Sequence, residues 1–138
     1  MRLFDAFGIS GSGLTAQRLR LDLIANNLAN IHTTRTPAGG PYRRQVPVFA
    51  QRLEAARGDF KGAGVAVAAI LEDETPPRLV LDPGHPDADA EGYVHYPAIN
   101  VANEMVDLIT ATRSYEANAT VFEAAKDIAR KALEIGRG

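Results

Sequence analysis

LTAQRLRLDLIANNLANIHT, residues 14–33, repeats its apolar residues with the period of a packed helix. Leu14, Leu21 and Leu28 recur every seven residues, and Ile24 and Ile31 fall at the intermediate positions, where Gln17 interrupts the pattern. Apolar residues at that spacing form the seam of a coiled-coil-like helix. Leu19 and Leu23 widen the seam on one flank. A start near Ser10 or Ser12 is expected, because a serine oxygen accepts hydrogen bonds from the free amides of a first turn. The helix is expected to fade at His32-Thr33-Thr34, ahead of Pro37 and Gly39-Gly40. Within it, Asn26, Asn27 and Asn30 are out of place, since asparagine side chains compete for backbone groups and weaken helices. Their spacing gathers them on one side. A polar ladder between packed helices would satisfy those amides and set the register. The plainer alternative is a solvated face.

Working outward, a second and longer helix is predicted from about Val101 to Gly136. Val101, Met105, Leu108, Thr112, Tyr115, Ala119 and Phe122 follow spacings of 4, 3, 4, 3, 4, 3, again a heptad pattern. Beyond it the stripe moves to Val121, Ala125, Ile128, Ala132 and Ile135, which rotates the seam around the helix. All 8 prolines lie between Pro37 and Pro97, and proline is the strongest helix breaker. That middle segment reads as short strands and turns. Candidate strands are residues 45–49, at an edge because of Pro47, then 64–71, 78–81 and 92–96. A turn cluster lies at Asp82-Pro83-Gly84-His85-Pro86. The expected fold is therefore mainly α. Two long terminal helices pair as a coiled-coil-like hairpin (1–35 and 98–138), carrying a small β-rich insertion (36–97).

Composition narrows the function. Apolar residues make up 46% and charged residues 23% of 138, globular values. The formal net charge of -2 argues against a phosphate-gripping nucleic-acid binder. The absence of cysteine removes disulfides and thiolate zinc sites. No apolar run of signal-peptide length follows Met1-Arg2-Leu3-Phe4-Asp5. The chain is thus expected to stay inside, or to leave by a route that needs no cleaved signal.

Sharper chemical readings fare poorly. Residues 8–13 (GISGSG) lack the order of a phosphate-binding glycine loop and read as a flexible lead-in. Residues 87–92 (DADAEG) imitate the opening of a calcium loop, but Ala98 stands where a bidentate glutamate belongs. An acidic surface loop is the simpler reading. His32, His85 and His95 have no recognisable nucleophile beside them. Arg113 and Glu116 read as an i, i+3 pair. The sequon at Asn118-Ala119-Thr120 sits on the helical seam. No catalytic residue, metal, cofactor or small-molecule substrate is expected.

What remains is apolar helix surface that a two-helix hairpin cannot bury alone, which predicts partners from other chains. Residues 14–33 closely resemble the N-terminal signature of flagellar basal-body rod proteins. Residues 103–136 (NEMVDLITATRSYEANATVFEAAKDIARKALEIG) resemble the matching C-terminal signature. Between them, residues 40–44 (GPYRR) and 82–94 (DPGHPDADAEGYV) are similar to the proximal-rod members. Ile31-His32 departs from the small or polar residues usual there. The resemblance implies export through the flagellar type III apparatus without cleavage and assembly in the periplasm into a helical tube. Helices would line the inside, with the β-rich part outside. It implies as partners other copies, other proximal and distal rod proteins, and the junction of the MS ring with the export gate. The subunit-contact residues expected on this reading are Leu14, Leu21, Ile24, Asn26, Asn27, Leu28 and Asn30. On the second helix they are Met105, Leu108, Arg113, Tyr115, Glu116, Asn118, Phe122 and Ile128. A soluble coiled-coil adaptor and a small enzyme using the loop at 85–95 are the alternatives.

Overall fold

The computed structural model describes residues 3–56 and 59–138, with side chains described outside 54–61. Helix α1 runs Leu3–Ala29 and helix α2 runs Val101–Arg137. Strands β1 (Gln45–Ala56) and β2 (Asp59–Glu72) pair antiparallel, as do β3 (Arg78–Leu81) and β4 (Tyr93–Tyr96). The fold is the expected one: two terminal helices with small antiparallel sheets between them. The strands lie where the sequence placed them, although the first two extend well past the predicted segments. β1 and β2 are two-stranded, so Pro47 takes its place on an edge, opposite Ile70.

The helices run antiparallel. Phe7 meets Phe122 edge-on with ring centroids 5.1 Å apart, and Arg20 reaches Asp107 at 3.9 Å. Between these contacts Gly13 lies so close to α2 that a Cβ there would stand 2.7 Å from Asn118 Oδ1. The α2 helix is capped by Asn100, whose side chain accepts from the Asn103 amide. It outlasts its partner: with Phe7 against Phe122, roughly ten residues of α2 project ~15 Å beyond the start of α1.

The structure departs from expectation in three places. First, α1 begins at Leu3, not at Ser10 or Ser12, and ends at Ala29, before the threonines. Ser10 is buried and Ser12 donates to Ile9 O inside the helix. The segment 8–13 is thus no flexible lead-in. Small residues are tolerated there because close packing against α2 and β2 overrides their weak helix propensity. Second, the seam of α2 is displaced. The inward face carries Glu104, Ala111 and Ala125, with Leu108, Asn118 and Phe122 half-buried beside them. Val101, Met105 and Tyr115 point outward. Third, the asparagines do not form an interhelical ladder within the chain, as described below.

The core is thin. Among the described residues the buried apolar set is Ala16, Leu23, Ile24, Val94, Ala111 and Ala125, half of it alanine. A fully buried leucine or isoleucine contributes about 1.5–3 kcal/mol, an alanine far less. The chain exposes 9735 Å² at a mass of 14.8 kDa. A compact monomer of that mass exposes about 7,000 Å².

Candidate functional site

Two features position the surfaces of this molecule: a pair of internal fastenings, and the apolar helix faces they leave outside. The first fastening is Asn27, only 1% exposed. Its Nδ2 donates to Gln45 O at 3.0 Å. Its Oδ1 accepts from Gln45 N at 2.9 Å and from the Tyr42 hydroxyl at 2.9 Å. The carboxamide thereby imitates one rung of a β-ladder and fixes the root of β1 to the end of α1. Burial, then the charges of Glu104 and Glu72, push the Tyr42 phenol up from its ordinary range and keep it a donor. Asn30 serves the helix end instead, donating to Asn26 O at 2.9 Å and accepting from the Thr33 hydroxyl at 3.1 Å. The Asn26 side chain is exposed.

The second fastening is ionic. Arg44 Nε donates to Glu104 Oε1. Its Nη2 lies 3.4 Å from Asp107 and its Nη1 3.7 Å from Asp73. Burial pulls the guanidinium down, but Glu104, Asp107 and Asp73 more than offset this and raise it. One arginine so joins the start of β1, the loop after β2 and the first turns of α2. Further along α1, Ser12 Oγ accepts from Val65 N at 3.0 Å. Here Gly64 adopts φ 100°, and a Cβ would stand 2.1 Å from Ser12 Oγ. Only glycine admits both that backbone and that approach.

The loop that imitates a calcium site uses its carboxylates locally. Asp87 accepts from Thr34 Oγ1 at 2.7 Å and pairs with Arg35. The Thr34 bond, followed by Arg35 and His85, holds its carboxyl below the usual carboxylate range. Asp89 accepts from the Tyr93 and Glu91 amides, both at 2.9 Å, and meets His95 at 3.2 Å.

The expected contact residues divide accordingly. Ile24 and Asn27 are buried, while Leu14, Leu21, Leu28, Asn30, Leu108, Asn118 and Phe122 are half-buried between the helices and their surroundings. Asn26, Met105, Arg113, Tyr115, Glu116 and Ile128 are exposed. Arg113 and Glu116 do not close on each other. Among the described residues the i, i+3 ion pairs are Glu123–Lys126 and Asp127–Arg130. Outside the expected set lie Tyr42, Arg44, Glu104, Asp107, Ser12 and Gly64. Periodicity carries no signal for the ionic group, because the expected seam runs through Val101, Met105 and Leu108 and leaves Glu104 off it. The outward faces carry Phe4, Val106, Ile109, Val121, Leu133 and Ile135, each more than half exposed.

Comparison with known proteins decides the family. Residues 8–35 match the family model described as flagella basal body rod protein, and residues 90–135 match the flagellar basal body rod FlgEFG protein C-terminal model. Curated relatives named flagellar basal-body rod protein FlgC align end to end. That of Borreliella burgdorferi is 47% identical, covering 100% of both chains. Those of Bacillus subtilis and Salmonella typhimurium are 43% and 44% identical, each covering 99% of this chain and 100% of the relative. This chain belongs to the FlgC family of flagellar basal-body rod proteins. Both matched segments of this FlgC-family chain coincide with its helices, and the second also takes in β4. The relatives do not favour the soluble-adaptor alternative, and their names describe a structural part of the flagellum.

Proposed function

We propose that this chain is a structural subunit of the proximal rod, polymerising through its terminal helices into a helical tube that transmits torque and encloses an export channel. The helical part, residues 1–35 and 98–138, forms the wall, and residues 36–97 form an outer β-rich part. Its neighbours are other copies, other rod proteins, and the junction between the MS ring and the export gate. Its place is the periplasm, reached without a cleaved signal. The subunit contacts are the exposed members of the expected set, Asn26, Met105, Arg113, Tyr115, Glu116 and Ile128, whereas Ile24 and Asn27 are spent inside the chain.

One observation carries this reading. The lone chain exposes about 2,700 Å² more than a compact protein of its mass, an area within the range of obligate interfaces. Among the described residues the exposed large apolar side chains lie on α2, on the strands and, as Phe4 and Ile9, on α1. Such head-to-tail contacts do not close on themselves and so propagate a filament. Met105→Asp is the test, because Met105 is 48% exposed on the outward face of α2. Export should persist while the chain disappears from purified basal bodies and swimming stops. Normal incorporation and motility of the Met105→Asp strain would refute the proposal.

A further inference from the structure

The two ends of α2 differ in charge as well as in position. Residues 101–112 carry Glu104 and Asp107 and no basic residue. The projecting end, residues 126–137, carries Lys126, Arg130, Lys131 and Arg137 against Asp127 and Glu134. Lys126 and Arg130 are engaged with Glu123 and Asp127 one turn away. Lys131 has no ion pair among the described residues. It shares a helix face with Ile128 and Ile135, which are 60% and 82% exposed.

At the opposite end a groove of about 430 Å³ is lined by Asp73, Glu104, Asp107, Arg44, Asn103 and Val106. Three carboxylates there face one guanidinium, with Arg20 reaching Asp107 from α1. The group is one donor short. Glu104 is 1% exposed, and its Oε2 is buried with no hydrogen-bond partner among the described residues. An unpartnered buried carboxylate oxygen is costly. Val106, 61% exposed, supplies an apolar rim.

The basic, apolar face and the acidic, apolar groove lie about 29 residues apart on one straight helix, or ~44 Å. One chain therefore cannot bring them together. We propose that the projecting end of α2 in one copy seats in this groove of the next copy. Lys131 there faces the accessible Asp73 and Asp107 carboxylates, and Ile128 and Ile135 lie against Val106. This rests on the rod-subunit reading and names the contact that links one subunit to the next. The helix dipole offsets the side-chain charge at each end by about half a charge, too little to reverse its sign, while the C-terminal and N-terminal dipole ends attract each other. Charge complementarity then sets direction: projecting end to groove is attractive, while groove to groove and end to end repel.

The chain has no cysteine, so introduced thiols report without background. A strain co-expressing Val106→Cys and Ile135→Cys chains is oxidised and its basal bodies are purified. A disulfide-linked dimer of the two chains is expected, and Lys131→Glu should lower its yield roughly fivefold. Thr120→Cys, at an exposed position outside the expected contact set, in place of Val106→Cys should give none. Basal bodies that contain both chains but no such dimer overturn the pairing and leave the rod reading standing. Cross-linking of the Ile135→Cys chain to a different protein overturns the second copy as occupant. Absence of the unmodified chain from basal bodies overturns the rod reading, and this contact with it.

Discussion

Asn27→Ala removes one carboxamide and strands three partners. Gln45 loses both a donor and an acceptor to its backbone, and the Tyr42 hydroxyl loses its acceptor. Each bond in such a setting contributes about 1 kcal/mol net, so the loss is about 3 kcal/mol. At 1.4 kcal/mol per factor of ten, that corresponds to roughly a hundredfold. Amide hydrogen exchange reads the change directly, because local opening at the root of β1 controls exchange of the Gln45 N–H. Protection of Gln45 should fall about a hundredfold in Asn27→Ala. Asn27→Asp should fall at least as far, since it turns an oxygen toward the Gln45 carbonyl in place of Nδ2. Asn26→Ala, at an exposed side chain, should leave Gln45 within a factor of about two. If Gln45 exchanges at the same rate in Asn27→Ala as in the unaltered chain, the carboxamide is not what holds the strand, and the argument fails.

Other outcomes follow from the same contacts. Arg44→Met leaves Glu104 buried and uncompensated at a cost of about 3–5 kcal/mol. Limited proteolysis should then cut within residues 73–107 far faster, and Arg44→Met/Glu104→Gln should recover part of the resistance. Gly64→Ala forces a side chain into φ 100° and onto Ser12, costing about 1–3 kcal/mol for the backbone alone; loss of Val65 amide protection measures it. Asp87 has a depressed folded pKa, so its contribution is present above the ordinary carboxylate range and lost as pH falls through the folded value. NMR shifts of Thr34 and Arg35 should therefore move together on acidification, and Asp87→Asn should abolish that titration. The isolated chain should show weak, broad thermal loss of helicity, because its partner surfaces are bare; a sharp cooperative melt by circular dichroism would contradict the assembly argument.

Much of the architecture was legible because period and punctuation agree. Proline confines the strands to the middle, and residues 78–81 were placed to the residue. The start of α1 was not legible. Glycine and serine at 8–13 read as breakers when taken locally, and only the approach of Asn118 and of Gly64 shows why small residues stand there. On α2 the apolar period follows the larger residues and does not say which stripe the chain uses for itself. The inward stripe is the unremarkable one, built on Glu104, Ala111, Asn118 and Ala125. The larger residues at 101, 105 and 115 face out. Of the three asparagines only Asn27 is buried, and the Asn26 side chain lies on a solvated face. The partner of Asn27 lies 18 residues away, at the first residue of an expected strand, and nothing in the helical pattern says that the two meet. Arg44 likewise draws its meaning from acids 60 and 63 residues downstream.

The contacts of α1 with the long hairpin have a mechanical consequence. Asn27 holds the root of β1, and Ser12 holds β2 near Gly64, about 22 Å apart along the helix. A strut pinned at one place pivots under a sideways load; pinned at two separated places it must stretch or break a pin before it swings. Twisting applied to the helical part therefore arrives at the hairpin as rotation of a rigid arm, with shear borne by one carboxamide and one serine oxygen.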